Sequence, residues 1–201
     1  MLKINKVAEP DFLKAYKRKH NPKNWDDYNE DHIKFELKTY IAENEQSIKD
    51  ATLCVYCERE IDIANNKGHI EHIKPKEKFP QLFQEYENLS ISCDSHGTCG
   101  HAKQNKYDDR FINPVEDNPD DFLAYDDLTG EIIAKDVSVK DRVDYTVNEV
   151  LKLNEYNLCK ARRLIIRHLN DALNGGYFDY IVDNYKDFHT LVNFYKESQT
   201  L

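Results

Sequence analysis

Two pairs of cysteines constrain this chain more than any other feature. Cys54 and Cys57 are spaced C-x-x-C, and Cys93 and Cys99 follow after a stretch long enough to hold a pair of strands. The first residues, MLKINK, lack the apolar stretch of an export signal, so we expect a cytoplasmic protein without disulfides. Clustered cysteines in such a chain are typical metal ligands. The pattern therefore predicts one structural Zn²⁺ ion held by four thiolates in a closed tetrahedron.

Cys159 and most of the histidines outside the central motif are not expected to bind a metal. The gap between Cys93 and Cys99 is longer than the usual two residues, so His96 remains an alternative to a cysteine as fourth ligand. Cys159 follows Leu158 in a helical pattern and is predicted to be a small core residue. The histidines outside the cysteine region are predicted to be ordinary surface or packing residues; they are His20, His32, His168 and His189.

Charge and hydropathy limit the partners. The chain has 28 Lys and Arg against 37 Asp and Glu, a formal net charge of −9. Proteins that bind nucleic acid through their overall field are usually basic, but a local site can carry the opposite charge. The longest apolar runs are far shorter than the roughly 20 residues needed to cross a bilayer. We expect no membrane partner.

The chain divides into three segments. Residues 1–50 are predicted to form an N-terminal helical segment of two helices, separated by the breakers Pro22 and Asn24. Residues 51–110 contain four of the five cysteines and are expected to form the chemical core. Residues 111–201 open with a Pro-, Asp- and Asn-rich linker and are predicted to form a β-hairpin followed by helices.

Local patterns define the third segment further. Residues 122–125 and 131–134 are predicted to pair across a turn that ends at Gly130. The apolar pattern that follows indicates two helices meeting near Leu153-Asn154, and one last helix is predicted from Phe178 to about Tyr195.

The central segment has a strand, strand, helix pattern. His69 to Ile73 alternates, contains β-branched residues and ends shortly before Pro75, which is typical of a strand. Leu89 to Ser92 is predicted to be a second short strand. Residues 99–108 contain good helix formers and are predicted to be a helix.

This order of motifs resembles the HNH endonuclease superfamily. The features that carry the resemblance are Glu71-His72 on the first strand, Asn88-Leu89 before a cysteine, and Cys99 followed by a polar helix start. The wider chain resembles a narrower group, the HNH nuclease subunit (PtuB-like) of Septu-type and retron-linked anti-phage defence systems. Its features are Glu45-Gln46 before Cys-Val-Tyr-Cys, the run Ile-Glu-His-Ile-Lys-Pro-Lys, and Leu153-Asn154.

The resemblance implies a fold and a function. The fold is expected to be α+β, with a small ββα-metal HNH core and its structural zinc between N-terminal and C-terminal helical segments. The function is expected to be metal-dependent hydrolysis of phosphodiester bonds, with DNA preferred over RNA, by an effector that works with a separate ATPase subunit. The alternatives are an HNH effector that cleaves RNA or tRNA, and an inactive zinc-stabilised binding module.

The resemblance also implies residue roles. His72 is expected to be the general base, Glu71 a ligand of a catalytic Mg²⁺ or Mn²⁺ ion, and Asn88 the residue that holds the loop and orients the base. Adjacent strand residues point to opposite faces, so Glu71 and His72 can serve one phosphate only if the strand bends or ends there. His101 and Asn105, at i and i+4 of the predicted helix, are the candidates for the second ligand, with His101 preferred.

Two further features accompany these roles. Many family members have His or Asn directly after the last cysteine, where this chain has Gly100. His69 shares the strand face of Glu71 and is either a third ligand or a partly buried structural histidine. Phosphate contacts around the site are expected from nearby lysines: Lys74, Lys76, Lys103 and Lys106.

Overall fold

The computed structural model describes residues 1–29 and 32–198. Within them, helices are combined with three two-stranded antiparallel sheets, so the fold class is α+β, as predicted. The helices are α1 (Asp11–His20), α2 (Ile33–Ile41), α3 (Cys99–Lys103), α4 (Lys140–Val143), α5 (Tyr156–Gly175), α6 (Phe178–Asn184) and α7 (His189–Ser198). The strands are β1 (Ser47–Ile48), β2 (Ala51–Thr52), β3 (His69–His72), β4 (Leu89–Ser92), β5 (Leu123–Tyr125) and β6 (Ile132–Ala134).

The centre of the molecule is the unit formed by β3, β4 and α3. The two strands pair antiparallel, with His69 opposite Ser92 and His72 opposite Leu89. β3 ends at His72, shortly before Pro75, and all four residues of β4 are buried. α3 follows after a short connection and ends at Lys103, because Gln104 adopts a positive φ of 48°. The predicted helix over residues 99–108 is therefore half the expected length.

The N-terminal segment supports this unit from one side. α1 begins after Pro10 and ends at Asn21 in the left-handed conformation, and α2 packs on β3 and β4. A π-helical turn, Ala42–Gln46, follows α2. The buried Gln46 side chain donates to the carbonyl oxygens of Leu53 and Ile91 and accepts from the N–H group of Ile91. This residue of the Glu45-Gln46 motif thus ties the first cysteine pair to β4.

The C-terminal segment confirms the predicted hairpin and divides the last helix. β5 and β6 pair as expected, and a π-helical segment, Asp144–Val150, meets α5 near Leu153-Asn154. The helix predicted from Phe178 to Tyr195 is instead two helices, α6 and α7. Phe188 interrupts it, since this buried residue has a positive φ of 54° and its N–H group donates to the carbonyl oxygen of Glu58.

One apolar core connects the three segments of the chain. A single cluster of buried hydrophobic side chains contains residues from all three segments, from Met1 to Tyr195. Backbone hydrogen bonds add to this, such as the one from the Cys99 N–H group to the carbonyl oxygen of Leu151, 2.8 Å away. Over residues 1–29 and 32–198, no helix has the length and apolar character required to cross a lipid bilayer.

Candidate metal centres and active-site cleft

The four paired cysteines meet at one point. The sulfur atoms of Cys54, Cys57, Cys93 and Cys99 all lie within 4.8 Å of one another. The sulfur atoms of Cys57 and Cys93 are 3.7 Å apart. A tetrahedron of sulfurs at about 2.3 Å from zinc has edges of about 3.8 Å, so this donor set can hold a zinc ion.

The environment of the cysteines favours a thiolate at Cys93, whereas hydrogen bonds with Cys54 raise the pKa values of Cys57 and Cys99. Cys54, Cys57 and Cys99 are buried, and the N–H group of Cys93 donates to the sulfur of Cys54 at 3.3 Å. Hydrogen bonds from Cys54 and the other two neighbouring thiols hold the pKa of Cys93 far below its usual range. His96 is not one of this group of four, and its ring lies 5.2 Å from that of His101. Four sulfur donors complete a tetrahedron without it.

Glu71 lies at the centre of a second polar cluster. Its Oε1 atom accepts hydrogen bonds from the Tyr56 hydroxyl at 3.0 Å and from the Lys103 ammonium at 2.7 Å. Its Oε2 atom lies 3.5 Å from Nε2 of His69. Burial alone would raise the pKa of Glu71, but the charge of Lys103 and the contact with His69 outweigh it and lower the pKa to about 2. Glu71 is therefore a carboxylate at neutral pH.

Lys103 has a different environment from the expected one. Its side chain is only 1% exposed, and its ammonium group donates to Oε1 of Glu71 and, at 2.8 Å, to the carbonyl oxygen of His72. The charge of Lys103 faces inward and pairs with Glu71, and its predicted phosphate contact stays a prediction. The five-residue helix α3 places Cys99 in the sulfur cluster and Lys103 in the Glu71 cluster.

His72 is buried beside this cluster and has a defined tautomer. Its Nε2 atom lies 2.9 Å from the carbonyl oxygen of Phe83, and Trp25 packs against the ring with its edge, 4.6 Å between centroids. A carbonyl oxygen only accepts, so Nε2 carries the proton and Nδ1 keeps its lone pair. Burial lowers the pKa of His72 to about 4, so the ring is neutral at pH 7.

Asn88 fixes the loop between the strands. Its amide group donates to the carbonyl oxygens of Lys74 and Leu82, at 2.9 and 3.3 Å, and its Oδ1 atom accepts from the N–H group of Lys74 at 2.8 Å. Leu82 directly precedes Phe83, whose carbonyl oxygen contacts His72. The hydrogen bonds of Asn88 are thus to the loop that carries Phe83 and not to the His72 ring, and its role in orienting the base stays a prediction.

The structure separates the two candidates for a second ion ligand. His101 is exposed, and its ring lies 5.0 Å from that of His69. Asn105 lies beyond the end of α3, so it does not share a helix face with His101. Its amide group donates to Glu77. Asp94, which the sequence patterns did not single out, accepts from Nδ1 of His69 at 3.2 Å.

A shallow cleft connects these groups to solvent. It is lined by Glu71, His72 and Lys76 and by the single tryptophan, Trp25, which the sequence analysis also missed. β3 ends at His72, which is how two adjacent residues reach one cleft despite the alternation of strand side chains.

Two of the predicted phosphate-binding lysines have other partners. The ammonium group of Lys74 pairs with Glu116 at 2.5 Å. That of Lys106 contacts the carbonyl oxygens of Ala102 and Glu149. Neither of these lysines lines the cleft, whereas Lys76 does.

Two curated proteins are similar in sequence to this chain. Septu protein PtuB of Bacillus thuringiensis is 30% identical over 116 residues, which cover 56% of this chain and 41% of that protein. A protein of Escherichia coli named as a candidate HNH endonuclease of retron Ec83 is 28% identical over an alignment of 218 positions, which covers 86% of this chain and 81% of that protein. No protein-family model matches. The two relatives confirm the resemblance that the motifs carry, and they support an HNH nuclease related to the Septu and retron proteins.

Proposed function

We propose that this protein is a metal-dependent HNH endonuclease that hydrolyses phosphodiester bonds of nucleic acid, with DNA preferred. In this proposal β3, β4 and α3 are the ββα-metal core, and the four cysteines hold its structural zinc. The observation that carries the proposal is the pairing of His72 and Glu71 in one cleft. One of these groups is neutral with a free ring nitrogen, and the other is an ionised carboxylate.

His72 is suited to act as the general base. Nε2 is held as a donor by the Phe83 carbonyl group, so Nδ1 is the atom that takes a proton from water. The oxygen of that water attacks phosphorus while the bond from phosphorus to the 3′-oxygen breaks. The leaving oxygen takes a proton from solvent, and the products are a 5′-phosphate and a 3′-hydroxyl. Asn88 and the edge of Trp25 keep the ring in position.

Glu71 is suited to bind the catalytic ion. Oxygen ligands favour Mg²⁺ or Mn²⁺, and Oε2 is the oxygen that neither Tyr56 nor Lys103 uses. A divalent ion bound there would neutralise the charge that develops on the phosphate oxygens. Lys103 holds the other oxygen and so fixes the orientation of the carboxylate.

The substrate is expected to enter the cleft along Trp25 and Lys76. Lys76 lines the cleft and supplies positive charge to the phosphate backbone. The net charge of −9 makes such local contacts necessary, since the overall field repels a polyanion. In this proposal four residues are secondary contacts: Lys74, Lys106 and Asn105 have other partners, and His101 is exposed.

The resemblance to Septu and retron proteins extends the proposal to a biological role. The chain would be the nuclease effector of an anti-phage defence system, and a separate ATPase subunit would recruit or restrain it. Co-expression with the ATPase encoded by an adjacent gene should yield a complex. A chain that purifies alone and is fully active without that subunit would contradict this part of the proposal.

Cleavage assays test the proposed chemistry. The purified chain is incubated with supercoiled plasmid, single-stranded DNA and tRNA in parallel, with Mg²⁺ or Mn²⁺ and with or without EDTA. Plasmid cleavage that requires the added metal is expected. His72→Ala should lower the rate by about 10²–10⁴-fold, the usual contribution of a general base.

The control separates chemistry from folding. His168→Ala, outside the cleft and in contact with Tyr185, should leave the rate unchanged. Zinc content and melting temperature of His72→Ala should match those of the wild type. Full activity of His72→Ala would contradict the role of this residue. Cleavage of tRNA alone would favour the RNA-cleaving alternative, and no cleavage of any polymer would favour the inactive binding module.

A further inference from the structure

Gly100 lies where many HNH proteins have a His or Asn directly after the last cysteine. Side chains of β3 occupy the space beside this glycine. A Cβ atom added to Gly100 would lie 2.7 Å from Nε2 of His69 and 2.7 Å from Oε2 of Glu71. It would also lie 3.1 Å from the hydroxyl oxygen of Ser92. A side chain at position 100 would therefore have to displace two polar side chains of β3, which occupy the position that it would take.

The two side chains that converge over Gly100 are spaced as ligands of one ion. His69 and Glu71 are two residues apart on β3 and so share a face. Their Nε2 and Oε2 atoms are 3.5 Å apart. Two ligands that are each about 2.1 Å from one divalent ion lie about 3.0–3.5 Å apart, between octahedral and tetrahedral geometry.

The other atoms of both side chains are already engaged. Oε1 of Glu71 accepts from Tyr56 and Lys103, which leaves Oε2. Nδ1 of His69 contacts Oδ1 of Asp94 at 3.2 Å, and Oδ2 of Asp94 accepts from the N–H group of Gly68 at 2.7 Å. A carboxylate that accepts from one ring nitrogen and directs the other to a metal is a common arrangement of metal-binding histidines.

We propose that His69, together with Glu71, binds the catalytic divalent ion, in place of the helix ligand that Gly100 cannot supply. Asp94 is a positioning residue that fixes the ring of His69 with Nε2 towards Glu71. This inference rests on the proposed function, since it takes the ion to be the catalytic one. It moves the second ligand from α3 to β3 and assigns no ligand role to His101.

A competing arrangement exists at the surface. One ligand atom each from His69, Asp94 and His101 lie within 4.8 Å of one another. An ion held there through Nδ1 of His69 would replace the hydrogen bond to Asp94, whereas Glu71 lies beside the other ring nitrogen, Nε2. The two arrangements therefore differ in which variants lose the metal.

Metal binding, measured apart from cleavage, tests the assignment. Mn²⁺ is titrated into zinc-loaded protein and followed by electron paramagnetic resonance. We expect His69→Ala and Glu71→Gln each to weaken Mn²⁺ binding by about 100-fold, and Asp94→Asn by about 10-fold. His101→Ala should change it less than about 2-fold. Unchanged binding in His69→Ala would overturn the proposal. Loss in Asp94→Asn and His101→Ala with normal binding in Glu71→Gln would also overturn it, in favour of the surface arrangement.

A second variant covers the case in which His69→Ala does not fold. Gly100→Ala places a methyl group between Nε2 and Oε2, and we expect weaker Mn²⁺ binding with the zinc retained. Wild-type affinity in that variant would contradict the proposal. The outcomes also distinguish failure of the proposed function from failure of the His69 assignment. Mn²⁺ binding that depends on His69 without cleavage of any polymer would refute the proposed function alone. Cleavage that depends on His72 with normal Mn²⁺ binding in His69→Ala would refute this inference alone.

Discussion

The cysteine cluster and the Glu71 cluster share the helix α3 but differ in closure. α3 contributes Cys99 to the first cluster and Lys103 to the second, and Tyr56, between Cys54 and Cys57, donates to Glu71. The first has four sulfur atoms that face one another in the interior. The second mixes oxygen and nitrogen atoms and opens into a cleft. A closed thiolate site is typical of structural zinc, and an open site is typical of a catalytic ion.

The clusters also differ in whether protein groups neutralise their negative charge when no metal is bound. Glu71 already has Lys103 and Tyr56 as partners, so its charge is compensated in the protein itself. Among the described residues around the cysteines, no cation approaches the sulfur atoms in a similar way. We therefore expect the stability of the first cluster to depend on a bound ion, and the second cluster to need an ion only for chemistry.

The largest expected effect is on the cysteine cluster. Cys57→Ser replaces one sulfur ligand, and we expect insoluble or partly unfolded protein with no zinc, because a structural zinc site contributes directly to folding. Circular dichroism and metal analysis of the purified protein measure this, and the wild type should contain close to one zinc per chain.

The fifth cysteine provides the matched control. Cys159, on α5, lies outside the cluster, so Cys159→Ser should leave zinc content unchanged. A soluble and active Cys57→Ser protein, or a wild type without zinc, would show that the four cysteines meet for another reason. In that case the contrast between a structural and a catalytic site would not hold.

The sequence predicted those parts of the molecule that local patterns determine. The spacing of the cysteines, the alternation in β3 and the turn before β6 each depend on a few consecutive residues, and the structure contains all three features. The break between α6 and α7 was missed, because it depends on a hydrogen bond from Phe188 to Glu58, far away in the chain.

The details of the cleft depend on contacts that no local pattern reports. A lysine is usually exposed, yet α3 directs the Lys103 side chain inward to Glu71. Asp94 meets His69 only because the register pairs His69 with Ser92. A local signal was Gly100, a departure from the HNH pattern that the sequence resembles, at the place where side chains of β3 enter.

An intermediate effect is expected at Lys103. Lys103→Met keeps most of the side-chain volume but leaves the buried Glu71 carboxylate without its cation. Loss of one partner of a buried ion pair costs about 3–5 kcal/mol of unfolding free energy. Chemical denaturation of the zinc-loaded variant measures this loss, and its zinc content should remain close to that of the wild type.

Two further variants show whether the charge is responsible. Lys106→Met, whose ammonium group contacts only carbonyl oxygens near the surface, should change the free energy of unfolding by less than about 0.5 kcal/mol. Adding Glu71→Gln to Lys103→Met removes the unpaired charge and should recover much of the loss. If Lys103→Met is as stable as the wild type, Lys103 does not compensate the charge of Glu71.

The smallest effect on folding is expected from removal of the catalytic ion. Mild EDTA treatment should stop cleavage while the zinc of the cysteine cluster remains bound, because four buried thiolates release an ion far more slowly than an open site with few protein ligands. A ligand present at ten times its dissociation constant stabilises the folded state by about 1.4 kcal/mol, so the melting temperature should fall by only a few degrees. Added Mg²⁺ or Mn²⁺ should restore both cleavage and melting temperature. Loss of zinc and loss of cleavage at the same EDTA concentration would show that the two clusters are not separate sites, since only one class of metal would then be present.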